Sequence, residues 1–146
     1  MCYLFPSDFY SNGFQTRHAI TASFCSTLPN YGSSILRFYP DTKLASLPTI
    51  LKSKGYQAFW IHNGDAEFDR RRRFFKINGI DKIIDEYDFP PSAERFGWGI
   101  SDEALMVKSV EEMSQTKEPF WTSLLTISNH HPYEVPESFK KNTGNG

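Results

Sequence analysis

Phe120-Trp121-Thr122-Ser123-Leu124-Leu125-Thr126-Ile127, running into Ser128-Asn129-His130-His131-Pro132-Tyr133, is the stretch from which the fold is read. The largely apolar run after Pro119 predicts a buried strand over residues 120–127. A strand that ends in Ser-Asn-His-His-Pro delivers polar, titratable side chains at its carboxyl end. In open α/β sheets, ligands bind at that edge. Successive strand side chains point to opposite faces, so only one of His130 and His131 is expected to face a cleft. Without the strand before it, the same pair reads as part of an exposed loop.

Working outward, Tyr56-Gln57-Ala58-Phe59-Trp60-Ile61 is a second apolar strand, and it runs into His62-Asn63-Gly64-Asp65. Lys82-Ile83-Ile84-Asp85 is a third, shorter one. Helical segments alternate with these strands. Residues 16–26 suit a short helix with Thr16 at its N-terminus. Residues 46–54 form another, with Ser46 as N-cap, Pro48 in the first turn and Gly55 just past the end. Asp65 caps a helix through about Ile77, closed by Asn78-Gly79. After a Pro- and Gly-containing loop at 89–99, Ser101-Asp102-Glu103 opens the last helix, with two carboxylates where the helix dipole favours them. Met106, Val110 and Met113 recur at helical spacing and are expected to form its buried stripe. Helices alternating with apolar strands predict a parallel α/β sheet.

A chain of 146 residues is long enough for one domain with its own core. An aromatic content of 16% argues against global disorder. The formal net charge of −1 argues against a general nucleic-acid binder. No run of about 18 apolar residues is present, so no segment of this chain is expected to span a membrane. The start, Met1 to Pro6, lacks the charged and apolar regions of a signal peptide. Cys2 and Cys25 make no disulfide framework, and Cys25 is expected to be a small buried helix residue.

Three groups of residues carry chemistry. A hydroxyl at a helix N-terminus, Thr16, lies near free backbone N–H groups and a partial positive field. That setting suits a bound anion or an alkoxide of depressed pKa; taken alone, a simple Thr cap is the plainer reading. Arg17 beside it could contact a phosphate, although an exposed Arg is the commoner case. His62 at a strand end and Arg71 nine residues later can point into one cleft, where a guanidinium fork fits phosphate or sulfate. By themselves, Arg70 to Arg73 read as a solvated helix face or as counter-charge for acidic neighbours.

Gly13-Phe14-Gln15-Thr16-Arg17-His18, the His62-Asn63-Gly64-Asp65 segment with Phe68 to Phe75, and Ser128 to Tyr133 together resemble the extracytoplasmic catalytic domain of the lipoteichoic acid synthase and phosphoglycerol transferase family. That family is a branch of the sulfatase and alkaline phosphatase superfamily. The resemblance covers about residues 9–136 and only the central part of such a domain. Residues 1–146 are therefore expected to be a central fragment of a single sulfatase-like catalytic domain, with 137–146 as a disordered tail. The implied fold is α/β, a partial alkaline-phosphatase/sulfatase-like sheet with flanking helices.

The resemblance also implies an activity. It is metal-dependent transfer of phosphoglycerol from a lipid head group to a glycan or polymer acceptor, through a covalent Thr intermediate. Thr16 matches the nucleophile and metal ligand; His62, Arg71 and His130 match the residues that hold the substrate. Mn²⁺ or Mg²⁺ is the implied ion. Its remaining ligands, a Glu and an Asp-His pair, would precede Met1 and follow Gly146. An anionic phospholipid head group and a glycan or polymer acceptor are the implied partners. The implied location is the extracytoplasmic face of the bacterial cytoplasmic membrane, reached through tethering helices.

Asp69 departs from the pattern, because lipoteichoic acid synthases often carry Trp there; this points to another branch or acceptor. Two alternatives stand beside transfer: a phosphodiesterase, phosphatase or sulfatase-like hydrolase of the same fold, and a catalytically inactive anion- or partner-binding fragment. Sulfatases proper convert a Cys or Ser within Cys/Ser-x-Pro-x-Arg to formylglycine. Cys25-Ser26-Thr27-Leu28-Pro29 lacks both that Pro and that Arg, which argues against sulfate-ester hydrolysis by that route.

Overall fold

The computed structural model describes residues 10–30, 32–131, 133 and 134. The expected tail at 137–146 lies outside the described residues, as does Cys2. In chain order, three helices come first: α1 (Thr16–Cys25), α2 (Ile35–Phe38) and α3 (Leu47–Lys52). They are followed by β1 (Gln57–His62), α4 (Arg71–Ile77) and β2 (Lys82–Ile84). A short ribbon of β3 (Arg95–Phe96) and β4 (Gly99–Ile100) precedes α5 (Asp102–Ser114) and β5 (Phe120–Leu125).

The strands β2, β1 and β5 form one parallel sheet in that order. The central position of β1 explains its apolar sequence, since a parallel strand covered on both faces must be apolar on both. All of β1 except Gln57 is buried. Trp60 faces one side with Ile20, Phe24, Phe74 and Phe75; Ile61 faces the other with Ile84, Phe89, Ile100 and Leu105. On the first side the rings interlock, with Trp60 4.6 Å and Phe24 4.9 Å from Phe75 between centroids. Cys25 is buried at the end of α1, and burial pushes its thiol up to about 11, so it is a core residue as expected.

Four local differences from the sequence reading each have a physical cause. First, β5 ends at Leu125 rather than Ile127, because the backbone N–H groups of Ile127 and Ser128 turn to donate to the Asp102 carboxylate at 3.0 and 3.2 Å. Second, the helix expected from Asp65 is broken. A 3-10 turn, Phe68–Arg70, precedes α4, and Asp69 and Arg70 adopt left-handed φ of 56° and 60°. Third, the expected loop at 89–99 contains the β3–β4 ribbon, which docks on the end of β1. The Ile100 N–H donates to the Asn63 carbonyl at 2.8 Å. A Cβ on Gly99 would lie 2.2 Å from that same carbonyl oxygen, so only glycine permits the approach. Fourth, α5 buries Leu105 and Ser109, while Met106 and Val110 are 46% and 62% exposed. The expected Met106, Val110 and Met113 stripe is thus displaced by about one residue.

Among the described residues, no helix is long and apolar enough to cross a membrane.

Candidate functional site

The carboxyl ends of β1 and β5 and the N-terminus of α1 enclose a cavity of about 410 Å³. All four residues expected to act, Thr16, His62, Arg71 and His130, line it. Arg17, Asp65, Asp69 and Trp98 line it with them.

Thr16 is the first residue of α1 and is exposed to the cavity. The N-cap position belongs to Gln15, which makes no side-chain capping bond, so Thr16 is not the cap of its helix. Its hydroxyl makes no hydrogen bond among the described residues. A free hydroxyl at an open helix N-terminus has the positive field that an alkoxide or phosphate requires.

His62 closes β1 and is buried. Its Nδ1–H donates to the Leu125 carbonyl on the neighbouring strand at 2.8 Å. Its Nε2 therefore accepts, and it receives Nη1 of Arg71 at 3.1 Å. The two contacts select the neutral ring with its proton on Nδ1. Burial, with a smaller contribution from the Arg71 charge, pushes the ring down to about 4 against opposing effects of the Leu125 bond, Asp85 and Asp65. Gly64 makes this arrangement possible, because a Cβ there would lie 2.8 Å from Nε2.

Arg71 begins α4 and is buried. It reaches no carboxylate within ion-pair distance among the described residues; its guanidinium lies 5.0 Å over the Phe68 ring and bonds to His62. Its Nε is buried with no hydrogen-bond partner among them. Burial lowers its affinity for a proton, while the charges of Asp69 and Asp65 oppose that. A buried cation without a direct counter-ion is costly unless an anion completes it. The other three arginines follow the plainer expectation. Arg70 is exposed, Arg72 pairs with Glu67 and Asp85, and Arg73 pairs with Asp41.

His130 sits on the turn after β5 and is exposed, with its ring 4.3 Å from Trp98. Its Nδ1–H donates to the His131 carbonyl at 2.9 Å, and Nε2 has no hydrogen-bond partner among the described residues. His131 is also exposed but does not line the cavity.

Sequence reasoning missed three contributors. Trp98 lay inside a stretch read only as loop, although a Trp between two glycines signals a presented ring. Asn63 carries no signal of its own in the sequence beside His62. Asp102 reads in the sequence as a helix-dipole residue, yet its Oδ1 also accepts from Asn63 Nδ2 at 2.7 Å, besides the two amides after β5. Burial pushes this carboxyl up, but the bonds from Ile127, Asn63 and Ser128 outweigh it and hold it below the usual carboxylate range. One carboxylate thereby ties the ends of β1 and β5 to the start of α5.

The donor set does not by itself fit a divalent cation. Mn²⁺ and Mg²⁺ need several oxygen ligands. Thr16 offers one hydroxyl, and Asp69 is committed to Arg17 and Arg37. Among the described residues no group of three or more His, Cys, Asp or Glu could hold a metal ion.

Comparison with known proteins places this geometry. The sulfatase family profile matches residues 3–146. Lipoteichoic acid synthase of Staphylococcus aureus is 30% identical over 151 aligned positions, covering 96% of this chain and 23% of that protein. Lipoteichoic acid synthase 2 of Bacillus subtilis is 33% identical over 95 residues, 64% of this chain and 15% of that protein. The chain thus spans less than a quarter of the length of these curated relatives. Among solved structures, the lipoteichoic acid synthase LtaP of Listeria monocytogenes superposes with a TM-score of 0.82 at 26% identity, over 90% of this chain and 33% of that one. An alkaline phosphatase superfamily protein of Vibrio parahaemolyticus gives 0.78 at 33% identity, over 88% and 32%. The α/β fold class and the resemblance read from the sequence are both borne out.

Proposed function

Because the chain belongs to the sulfatase family, we propose that the whole protein transfers phosphoglycerol from an anionic phospholipid head group to a glycan or polymer acceptor, with Thr16 as nucleophile. One observation carries the reading: the hydroxyl of Thr16, which makes no hydrogen bond among the described residues, shares a cavity with the buried guanidinium of Arg71, which has no direct ion pair among them. Similarity to lipoteichoic acid synthases on either side of the comparison supports the choice of substrate.

In this mechanism Thr16 Oγ attacks the phosphorus of the phosphodiester, and the bond from phosphorus to the diacylglycerol oxygen breaks. The hydroxyl proton of Thr16 ends on that oxygen, and diacylglycerol leaves. A phosphoglycerol-threonine diester remains. An acceptor hydroxyl then attacks the same phosphorus, its proton returns to Thr16, and the enzyme is restored. Arg71 holds the phosphoryl oxygens, with His62 fixing the direction of its fork. His130, which lines the cavity, contacts the head group and can hold or pass a proton at the leaving oxygen.

A divalent ion, Mn²⁺ or Mg²⁺, would lower the pKa of the Thr hydroxyl and neutralise developing charge. The described residues do not complete its coordination, so no step above runs through it. The proposed setting is the extracytoplasmic face of the cytoplasmic membrane, where the lipid donor is available.

The test is Thr16→Ala in the whole protein, assayed with a labelled phosphatidylglycerol and mass spectrometry of the intact chain. Transfer is expected to fall by about a thousandfold or more, together with loss of the phosphoglycerol adduct that the wild type carries on Thr16. Appreciable transfer by the variant would refute the mechanism. Free glycerol phosphate as the main product would instead favour hydrolysis.

A further inference from the structure

We propose that Arg17 is a second phosphate-contacting guanidinium at this site and that Asp69 is the residue that positions it. The inference rests on the phosphoryl-binding reading above and adds two residues to it.

Arg17 follows Thr16 directly and lines the same cavity, with its side chain 18% exposed. A guanidinium has five donors in a planar fork. Among the described residues Arg17 uses one of them: Nη1 donates to Asp69 Oδ2 at 3.3 Å. Its Nε is buried with no partner among the described residues. A shielded cation with most of its donors unused among the described residues, one residue from the proposed nucleophile, is short of acceptors there. A tetrahedral dianion or monoanion supplies them, and a bidentate contact would orient it toward Thr16.

Asp69 is built to hold this arrangement rather than to bind the substrate. Its side chain is only 7% exposed and is bracketed by Arg17 on Oδ2 and by Arg37 Nε at 3.5 Å on Oδ1. Its charge also acts on Arg71. One carboxylate therefore touches the charges of three guanidinium groups, while Asp65 is the other acidic residue that lines the cavity. The backbone is contorted to achieve this. Asp69 and Arg70 are consecutive non-glycine residues in the left-handed region, a conformation that persists only when surroundings enforce it. A regular helix through this segment would replace the 3-10 turn that carries Asp69.

The opposite view is that Asp69 merely sits in the cavity and repels anions. The two views differ in sign. If Asp69 positions Arg17, neutralising it weakens phosphate binding; if it only repels, neutralising it tightens binding.

The experiment is calorimetric titration of the whole protein with glycerol 1-phosphate, comparing wild type, Arg17→Ala, Arg17→Lys and Asp69→Asn. Arg17→Ala is expected to weaken binding by about tenfold or more, and Arg17→Lys to recover only part of the loss, because a point charge does not reproduce the fork. Asp69→Asn is expected to weaken binding severalfold, and to have little further effect in the Arg17→Ala background. If Asp69→Asn does not fold, Asp69→Glu serves instead, with its loss again expected to vanish without Arg17. Wild-type affinity in Arg17→Ala, tighter binding in Asp69→Asn, or no binding to the wild type would each overturn the inference. Binding does not require Thr16 chemistry. Normal binding by Arg17→Ala with transfer abolished by Thr16→Ala would sink this inference alone. Transfer retained by Thr16→Ala with binding lost in Arg17→Ala would sink the mechanism and leave this inference standing.

Discussion

His62 illustrates how burial decides a residue's role. Its strand position was legible, and so was an Arg nine residues later. The sequence reading has both side chains meeting the phosphate; the structure adds a bond between them, because the Leu125 carbonyl claims the Nδ1 proton and turns Nε2 toward Arg71. The consequence is a pH dependence. The ring titrates at 6.5 when unfolded and near 4 when folded, so between those values the unfolded state binds more protons. The stabilisation is complete above about pH 6.5 and is lost as pH falls toward 4, by about 3 kcal/mol in full. Urea denaturation of wild type and His62→Gln across this range checks it. The wild type is expected to lose stability more steeply with falling pH, and parallel curves would contradict the assignment.

At the level of elements, α5 shows what periodicity misses. Leu105 and Met106 are adjacent and similarly apolar, so either phase gives a plausible stripe. The phase is set at the N-terminus, where the Asp102 carboxylate is tied to Asn63, Ile127 and Ser128. With Asp102 turned inward, residues three and seven further along, Leu105 and Ser109, face the sheet. Leu105→Ala is therefore expected to cost about 2–5 kcal/mol in denaturant midpoint analysis. Met106→Ala should stay within about 0.5 kcal/mol. Equal losses would place the helix in the other phase. The broken helix before α4 has a similar origin. Its helical sequence was legible, but the pull of Arg17 and Arg37 on Asp69 comes from segments more than thirty residues away.

For the whole molecule, the α/β class was readable because β1 and β5 are apolar runs separated by helical segments. The strand order was not, since β1 pairs with a strand that lies beyond α5 and the ribbon. In this order β5 is an edge among the described residues, with Leu124 36% exposed and Met106 and Val110 exposed on α5. An open strand edge beside apolar surface invites pairing. The 146-residue chain expressed alone is expected to self-associate with rising concentration in light scattering after size exclusion. A monodisperse monomer throughout would show that the edge is protected.

The tie between Asn63, Asp102 and the backbone of Ile127 and Ser128 separates two properties that usually change together. The spacing of His62 and His130 is fixed by a strut across the sheet, not by the length of chain between them. Residues 90–92, all exposed, lie within that chain but outside the strut. Lengthening them would leave the two histidines in place, because the tie and not the chain length holds them. Descendants of this chain, or a designer, can thus accept insertions there without recalibrating where the site acts.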